Sequence, residues 1–311
     1  MSASSPRVIT DDDLHVWLHP VEAVECMRRA TVAALEQRLC APPRVSADLG
    51  AGRIVFTVGA MSGQWYGYRS YDTFDHSAGE QVVVAHSART GRVRAIAIGE
   101  TLGRLRTGAL GGLAADILAR RDASTLGLIG AGAQAWTQLW ALTGVRKLDD
   151  VRVYARTEGR AAAFAARARR EMGIPCEAAG SAEAAVRDRD IVVLATTSPT
   201  PVLDSRWLAR GSHVTTLGPK QVDRAEFDLS LLDAADVLAT DSPIQLQAYD
   251  PPALAAVSGH ADRVRSLGAL VAAPFRRTTD DESTVYLSVG LAGTEIALLE
   301  HVASLIDQNR R

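Results

Sequence analysis

Residues 125–135 read TLGLIGAGAQA. An apolar run ends in a glycine turn, and the turn opens a helical pattern. Gly130, Gly132 and Ala135 fit the spacing G-x-G-x-x-G/A. Glycine at the first position permits the tight turn, and glycine at the second lets the backbone approach a pyrophosphate. The small third residue lets the helix pack on the strand. The helix N-terminus, with Ala133 and Gln134 in its first turn, then offers N–H groups to phosphate. The spacing alone is weak, because a glycine-rich turn also occurs in α/β domains that bind no nucleotide. The strand before it, the helix after it and the next strand make it strong.

The alternation continues downstream. AQAWTQLWALTG (133–144) reads as a helix, DVRVYAR (150–156) as a strand and GRAAAFAARARREMG (159–173) as a helix. DIVVLATT (190–197) and GSHVTTLG (211–218) are further strands. Strand and helix at this spacing predict a parallel sheet with helices on both faces. Upstream the character differs. Thr10 is an N-cap followed by Asp11, Asp12 and Asp13 in the first turn. A second helix is expected from about Val21 to Leu39, ended by Pro42 and Pro43. IVFTVGAM, YGYRSYDTF, QVVVAHS and VRAIAIG, between residues 54 and 99, are strand-like runs, with ARTG (88–91) as a hairpin turn. They predict an antiparallel or mixed sheet. GALGGLAADILAR (108–120) is a small-residue helix, and LAGTEIALLEHVASLIDQ (291–308), after STVYLSVG, is an amphipathic one. The fold class is therefore α/β, with a Rossmann dinucleotide-binding domain at 113–287 between two segments of different character, 1–112 and 288–311.

Composition narrows the function. The 311 residues are 47% hydrophobic and 23% charged, with a net charge of −2. That is ordinary for a globular protein and lacks the basic excess of a nucleic-acid binder. No apolar run reaches the ~18 residues of a membrane span; IVVLA (191–195) reads as a buried strand and LGALVAAP (267–274) is too short. The N-terminal residues lack the pattern of a signal peptide. Cys26, Cys40 and Cys176 are too few and too scattered for a disulfide framework or a zinc site, so a reducing cytoplasm is expected. His76, His86, His213 and His260 have no metal spacing, and His213, inside a strand, is expected to be a packed core residue.

At the second strand tip an NAD enzyme usually has a carboxylate for the ribose 2′-hydroxyl, whereas an arginine accommodates a 2′-phosphate. Here Ala155 is followed by Arg156 and Thr157, with Arg160 a turn later. NADP(H) is the expected cofactor, with NAD(H) as the alternative; the competing reading is a solvated loop face. Thr196, Thr197 and Ser198 follow the third strand, where open α/β sheets bind ligands, although their hydroxyls could equally cap the loop.

PPR (42–44), RTGA (106–109), GLIGAGAQA (127–135), ATTSPTPVL (195–203), GSHVTTLG (211–218) and SVGLA (288–292), in this order and spacing, resemble the ornithine cyclodeaminase/mu-crystallin family. The resemblance covers nearly the whole chain and implies a homodimer in which the Rossmann domain is inserted in a split α+β domain, 1–112 and 288–311, for substrate binding and dimerisation. The family holds cyclodeaminases, alanine dehydrogenases, imino-acid reductases and an NADPH-dependent hormone-binding protein. By this resemblance Arg44 and Arg106 hold a substrate carboxylate, which a planar guanidinium grips with paired hydrogen bonds. Thr107 and the Ser288–Val289–Gly290 turn fall near the nicotinamide. Arg69 stands where the family has an active-site lysine, and Lys220 where cyclodeaminases carry a catalytic aspartate. Both departures argue against ornithine cyclisation, which needs an anion to receive a distal ammonium. The expectation is an NADP(H)-dependent oxidoreductase for a small 2-imino or 2-oxo acid, with Lys220 as proton donor. The alternatives are a cyclodeaminase with recycled NAD and a non-catalytic NADPH-dependent binding protein. Arg44, Arg69, Arg106 and Lys220 would gather four cations. Asp72 or Asp75, the cofactor, a neutral Lys220 or a second acidic group on the substrate would compensate them. The other reading of Lys220 is an exposed loop lysine.

Overall fold

The computed structural model describes residues 5–74 and 79–309. The chain divides into two compact units, Met1–Arg106 with Gly290–Arg311, and Thr107–Val289. The composition shift suggested boundaries at 112/113 and 287/288. The observed division falls inside a helix, Thr101–Leu118, which begins seven residues before Gly108 and carries RTGA within it.

In the first unit Thr10 caps the helix Asp11–Trp17 through a capping box. Its hydroxyl accepts from the Asp13 amide, and the Asp13 carboxylate accepts from the Thr10 amide at 2.9 Å. Asp11 reaches further and accepts from the Thr101 amide at 3.1 Å, at the start of the helix Thr101–Leu118. The second helix is Pro20–Leu35, ending four residues earlier than expected. The prolines do not end it. Gln37 takes a left-handed conformation (φ 58°), the Gln37 amide donates to Ala34 and the Arg38 amide to Ala33. This is the Schellman closure with glutamine in the glycine position. Leu39–Cys40, expected to be helical at its start, is instead a short edge strand.

Among the described residues the sheet of this unit has seven strands. Its order is Arg7–Ile9, Val93–Gly99, Gln81–Ser87, Trp65–Asp72, Arg53–Met61 and Leu39–Cys40, with Val45–Asp48 also pairing to Arg53–Met61. Among the described strands only Arg7–Ile9 joins in parallel, so the sheet is mixed. The helix Thr294–Asn309 packs on its central strands, and Pro20–Leu35 packs on that helix. Trp65, Gly67 and Arg69 alternate inward along their strand, so a charge sits on the buried face. Tyr66 and Tyr68 point the other way, and Val58 and Ile98 are exposed as they are.

The second unit is a parallel eight-stranded sheet. Its order is Cys176–Ala178, Asp150–Tyr154, Thr125–Ile129, Ile191–Leu194, His213–Thr216, Thr284–Leu287, Val237–Thr240 and Val264–Ser266. Apolar clusters lie on both faces, one with Leu139, Leu142 and Phe164, the other with Phe227, Leu231 and Leu246. Thr284–Leu287, from the run next to the last helix, enters this sheet between two strands earlier in the chain. His213 is fully buried, with Nδ1 2.9 Å from the Thr284 hydroxyl and Nε2 3.2 Å from that of Thr215. Burial, aided by Arg277 and Arg146, pulls its pKa down to about 3. It is the neutral core residue expected. Among the described residues no helix is long and apolar enough to cross a membrane.

Candidate functional site

The strand order of the second unit reverses beside Thr125–Ile129. The next two strands in the chain lie on one side of it and Ile191–Leu194 on the other. Open α/β sheets take ligands at this switch point. Gly130 leaves the strand at φ +113°, and a side chain there would collide with the Ala195 carbonyl oxygen. Glycine is thus required by the fold. Gly132 differs: a Cβ there would meet open space, so no neighbour in the chain demands its absence. Gly132 is the N-cap of the helix Ala133–Thr143 and supplies no side-chain cap. The Gln134 amide oxygen is buried without a hydrogen-bond partner among the described residues. The uncapped helix start, with its free N–H donors, fits a phosphate-bearing group; the Gln134 oxygen, an acceptor, would need a donor such as a ribose hydroxyl.

A cavity of about 540 Å³ opens here, lined by Gly130, Gly132, Arg156, Thr157, Arg160, Thr196, Thr197 and Ser198. The structure thus gathers eight of the expected residues, with no carboxylate in the lining. Arg156, Thr157 and Arg160 are exposed. The hydroxyls beyond the third strand serve the loop itself. That of Thr196 donates to Glu226 at 2.7 Å and that of Ser198 to the Thr200 carbonyl at 2.7 Å. Other expected contacts lie off this lining. The Thr107 carbonyl accepts from Gln138, the Ser288 amide donates to the Thr216 carbonyl and the Val289 amide to Asp241.

Three expected arginines belong to the first unit. Arg69 and Arg106 converge on one carboxylate, that of Glu295. Arg69 Nη1 lies 2.8 Å from Glu295 Oε1, and Arg106 Nε and Nη2 each lie 2.8 Å from the same oxygen. Arg69 Nε also donates to Gln81 at 2.9 Å, and its guanidinium lies 4.3 Å over the Tyr71 ring. Gly290, at φ +91°, leaves room for the Arg106 guanidinium, which a Cβ there would meet at 3.2 Å. Arg44 is half-buried just before the strand Val45–Asp48. Burial pushes the Glu295 carboxyl up, but Arg106 and Arg69 more than offset it and hold it below the ordinary carboxylate value. Asp72 is therefore not the partner of Arg69. Its carboxylate accepts from the Phe74 amide at 3.0 Å and closes a turn. Asp75 and His76 lie outside the described residues.

Lys220 is 3% exposed, which removes the solvated-lysine reading. Its ammonium donates to the carbonyls of Gly218 at 2.7 Å and Leu217 at 3.4 Å. Glu226, wholly buried, lies within its electrostatic reach. Of the expected compensators of charge, Asp72 is thus corrected. Glu295 answers Arg69 and Arg106, and Glu226 answers Lys220.

The sequence reading missed Glu295, Gln81 and Glu226. Glu295 had a signal: with Leu298, Leu299, Val302 and Ile306 it forms the buried stripe of its helix, so a charge interrupts an apolar face. Glu226 sits next to a two-residue strand, too short for any period to show.

Fold and cavity together define a Rossmann-type dinucleotide-binding α/β protein with a separate mixed-sheet unit. The chain belongs to the ornithine cyclodeaminase/mu-crystallin family, whose model matches residues 67–309. It is 31% identical over 226 residues to a Delta(1)-pyrroline-2-carboxylate reductase of Bacillus cereus, covering 71% of this chain and 69% of that one. It is 28% identical over 248 residues to the iminosuccinate reductase of Paracoccus denitrificans, covering 78% and 75%. Among solved structures, an archaeal alanine dehydrogenase dimer with bound NAD superposes with a TM-score of 0.88 at 25% identity, covering 98% of this chain and 97% of that one.

Proposed function

We propose that this protein is an NADP(H)-dependent oxidoreductase that reduces a small 2-imino or 2-oxo acid, or oxidises the matching amino acid. The observation that carries the reading is the cavity at the switch point, where Arg156, Thr157 and Arg160 join the glycine turn and no carboxylate lines the wall. Gly130, Gly132 and the first turn at Ala133 and Gln134 would hold the pyrophosphate, and the arginines the 2′-phosphate. The dinucleotide would supply the hydride. Arg44 and Arg106 would hold the substrate carboxylate. Arg69 would orient rather than exchange protons, because a guanidinium stays charged. Names among the relatives support an imino or amino acid as substrate.

The surplus of cations that pointed to a second acidic group on the substrate is reduced by Glu295 and Glu226, so one carboxylate suffices on charge grounds. A cyclodeaminase is less well supported, because Lys220 stands where an anion is needed and the buried carboxylates of Glu295 and Glu226 are engaged by donors of this chain. A homodimer fits the outward face of the first sheet, where Val58, Tyr66, Tyr68 and Ile98 are exposed together. The three cysteines are free, as a reducing cytoplasm requires. The test is to incubate purified protein with NADPH and, separately, cyclic imino acids, pyruvate with ammonia, oxaloacetate with ammonia, and ornithine. Oxidation of NADPH with an imino or oxo acid is expected. Conversion of ornithine to proline without net cofactor change, or saturable binding without turnover, would overturn the reading.

A further inference from the structure

Glu226 belongs to no dinucleotide motif, yet four donors converge on it. Its Oε2 accepts from the Thr196 amide at 3.0 Å and the Thr196 hydroxyl at 2.7 Å. Its Oε1 accepts from the Leu217 amide at 3.0 Å and the Gly218 amide at 2.5 Å. A carboxylate that only accepts is the ionised form. Burial holds its carboxyl above the ordinary value, and Lys220 and the donors from Thr196 and Gly218 offset only part of that rise.

Lys220 grips the other side of the same turn, at the carbonyls of Leu217 and Gly218. Residues 217 and 218 are therefore held at their N–H groups by the acid and at their carbonyls by the amine. Gly218 is part of the fit, since a side chain there would collide with the Thr196 carbonyl and stand 2.5 Å from the Glu226 carboxylate. Thr196 follows the strand Ile191–Leu194, and Leu217 follows its neighbour His213–Thr216. Thr196 also lines the cavity of the dinucleotide motif.

We propose that Glu226 and Lys220 are positioning residues that clamp these two loops together and so preset the Thr196–Ser198 wall for the dinucleotide. The proposal rests on the dinucleotide reading above. It gives Lys220 a role other than proton delivery. Its ammonium is already bonded to two carbonyls, and losing its charge would strip a buried carboxylate of its counter-ion.

The test uses the full-length protein with Glu226→Gln, Lys220→Met, Lys220→Arg and the double variant Glu226→Gln/Lys220→Met. NADPH affinity is read by fluorescence, and backbone hydrogen exchange is followed at Thr196, Leu217 and Gly218. Each of Glu226→Gln and Lys220→Met is expected to weaken NADPH binding about tenfold, the factor that one charge-assisted hydrogen bond carries. Exchange at the three amides should quicken. The double variant should be little worse than either single one, because both remove one device. Lys220→Arg should recover most of the affinity by restoring the charge. If Glu226→Gln does not fold, the two lysine variants decide. Lys220→Met that binds NADPH normally and loses only turnover would overturn the clamp in favour of a proton donor. Unchanged exchange in the variants would also overturn it. Wild-type protein that binds neither NADPH nor NADH would sink the functional reading instead, and the exchange data would still judge the clamp.

Discussion

On the proposed NADP(H) reading, Arg156 and Arg160 would carry the choice of cofactor, because the loop after Tyr154 puts guanidinium groups where an NAD enzyme puts a carboxylate. Changing both to alanine should weaken NADPH binding tenfold or more and leave NADH binding nearly unchanged. Each charge-assisted hydrogen bond to the 2′-phosphate is worth about 1.5–3 kcal/mol. Fluorescence titration with the two cofactors checks this, and an equal loss for both would contradict it. In the other unit the buried trio of Arg69, Arg106 and Glu295 sets a different balance. Two cations share one fully buried carboxylate oxygen. Glu295→Gln leaves both guanidinium groups buried without their counter-charge. A loss of about 3–5 kcal/mol is expected, read as a lower urea midpoint.

Among the elements, the turn after the helix Pro20–Leu35 holds a small reserve of stability. The Gln37 amide is hydrogen-bonded there, but a residue with a Cβ is strained at φ 58°. Gln37→Gly should stabilise the protein by about 1 kcal/mol, measured as a rise in thermal midpoint at unchanged cofactor affinity. The strand His213–Thr216 makes stability depend on pH. His213 has a folded pKa of about 3 against 6.5 for the ordinary imidazole. The unfolded chain therefore binds a proton that the folded chain refuses. The stability is fully present above about 6.5 and is lost as pH falls through about 3, at up to ~1.4 kcal/mol per pH unit between. Thermal melts taken from pH 7 downward should show that decline, and His213→Gln should flatten it. An unaltered pH slope in the variant would assign the decline to other groups.

For the whole molecule, the prediction concerns assembly. The outer face of the first sheet exposes Val58, Tyr66 and Tyr68 side by side on neighbouring strands, with Phe56 against Tyr68 at a ring distance of 6.4 Å. A twofold dimer formed on this face would remove that apolar surface from water. The unaltered protein is expected to sediment as a dimer at micromolar concentration, and Tyr68→Glu, which places a charge at the centre of this face, should give monomers. If both sediment as dimers, another surface makes the contact, and if both sediment as monomers, the dimer is refuted.

The sequence by itself determined what rests on short spacings and on local backbone demands. GLIGAGAQA sits between strand and helix as its glycines require, the β/α alternation predicts the parallel sheet, and Thr10 caps its helix through the next three residues. His213 was legible as a core residue because it sits inside a strand of the α/β alternation. Tertiary structure alone decided the pairings of distant charges. Arg69 meets Glu295 across 226 positions of chain, and Asp72, a near neighbour in sequence, closes its own turn instead. Glu226 and Lys220 are close along the chain, but their meaning depends on Thr196, which another strand delivers. The physical reason is range. Capping, turn geometry and hydrophobic period act over one to four residues and are written locally. The partner of a buried charge is whatever the folded backbone carries within hydrogen-bond reach.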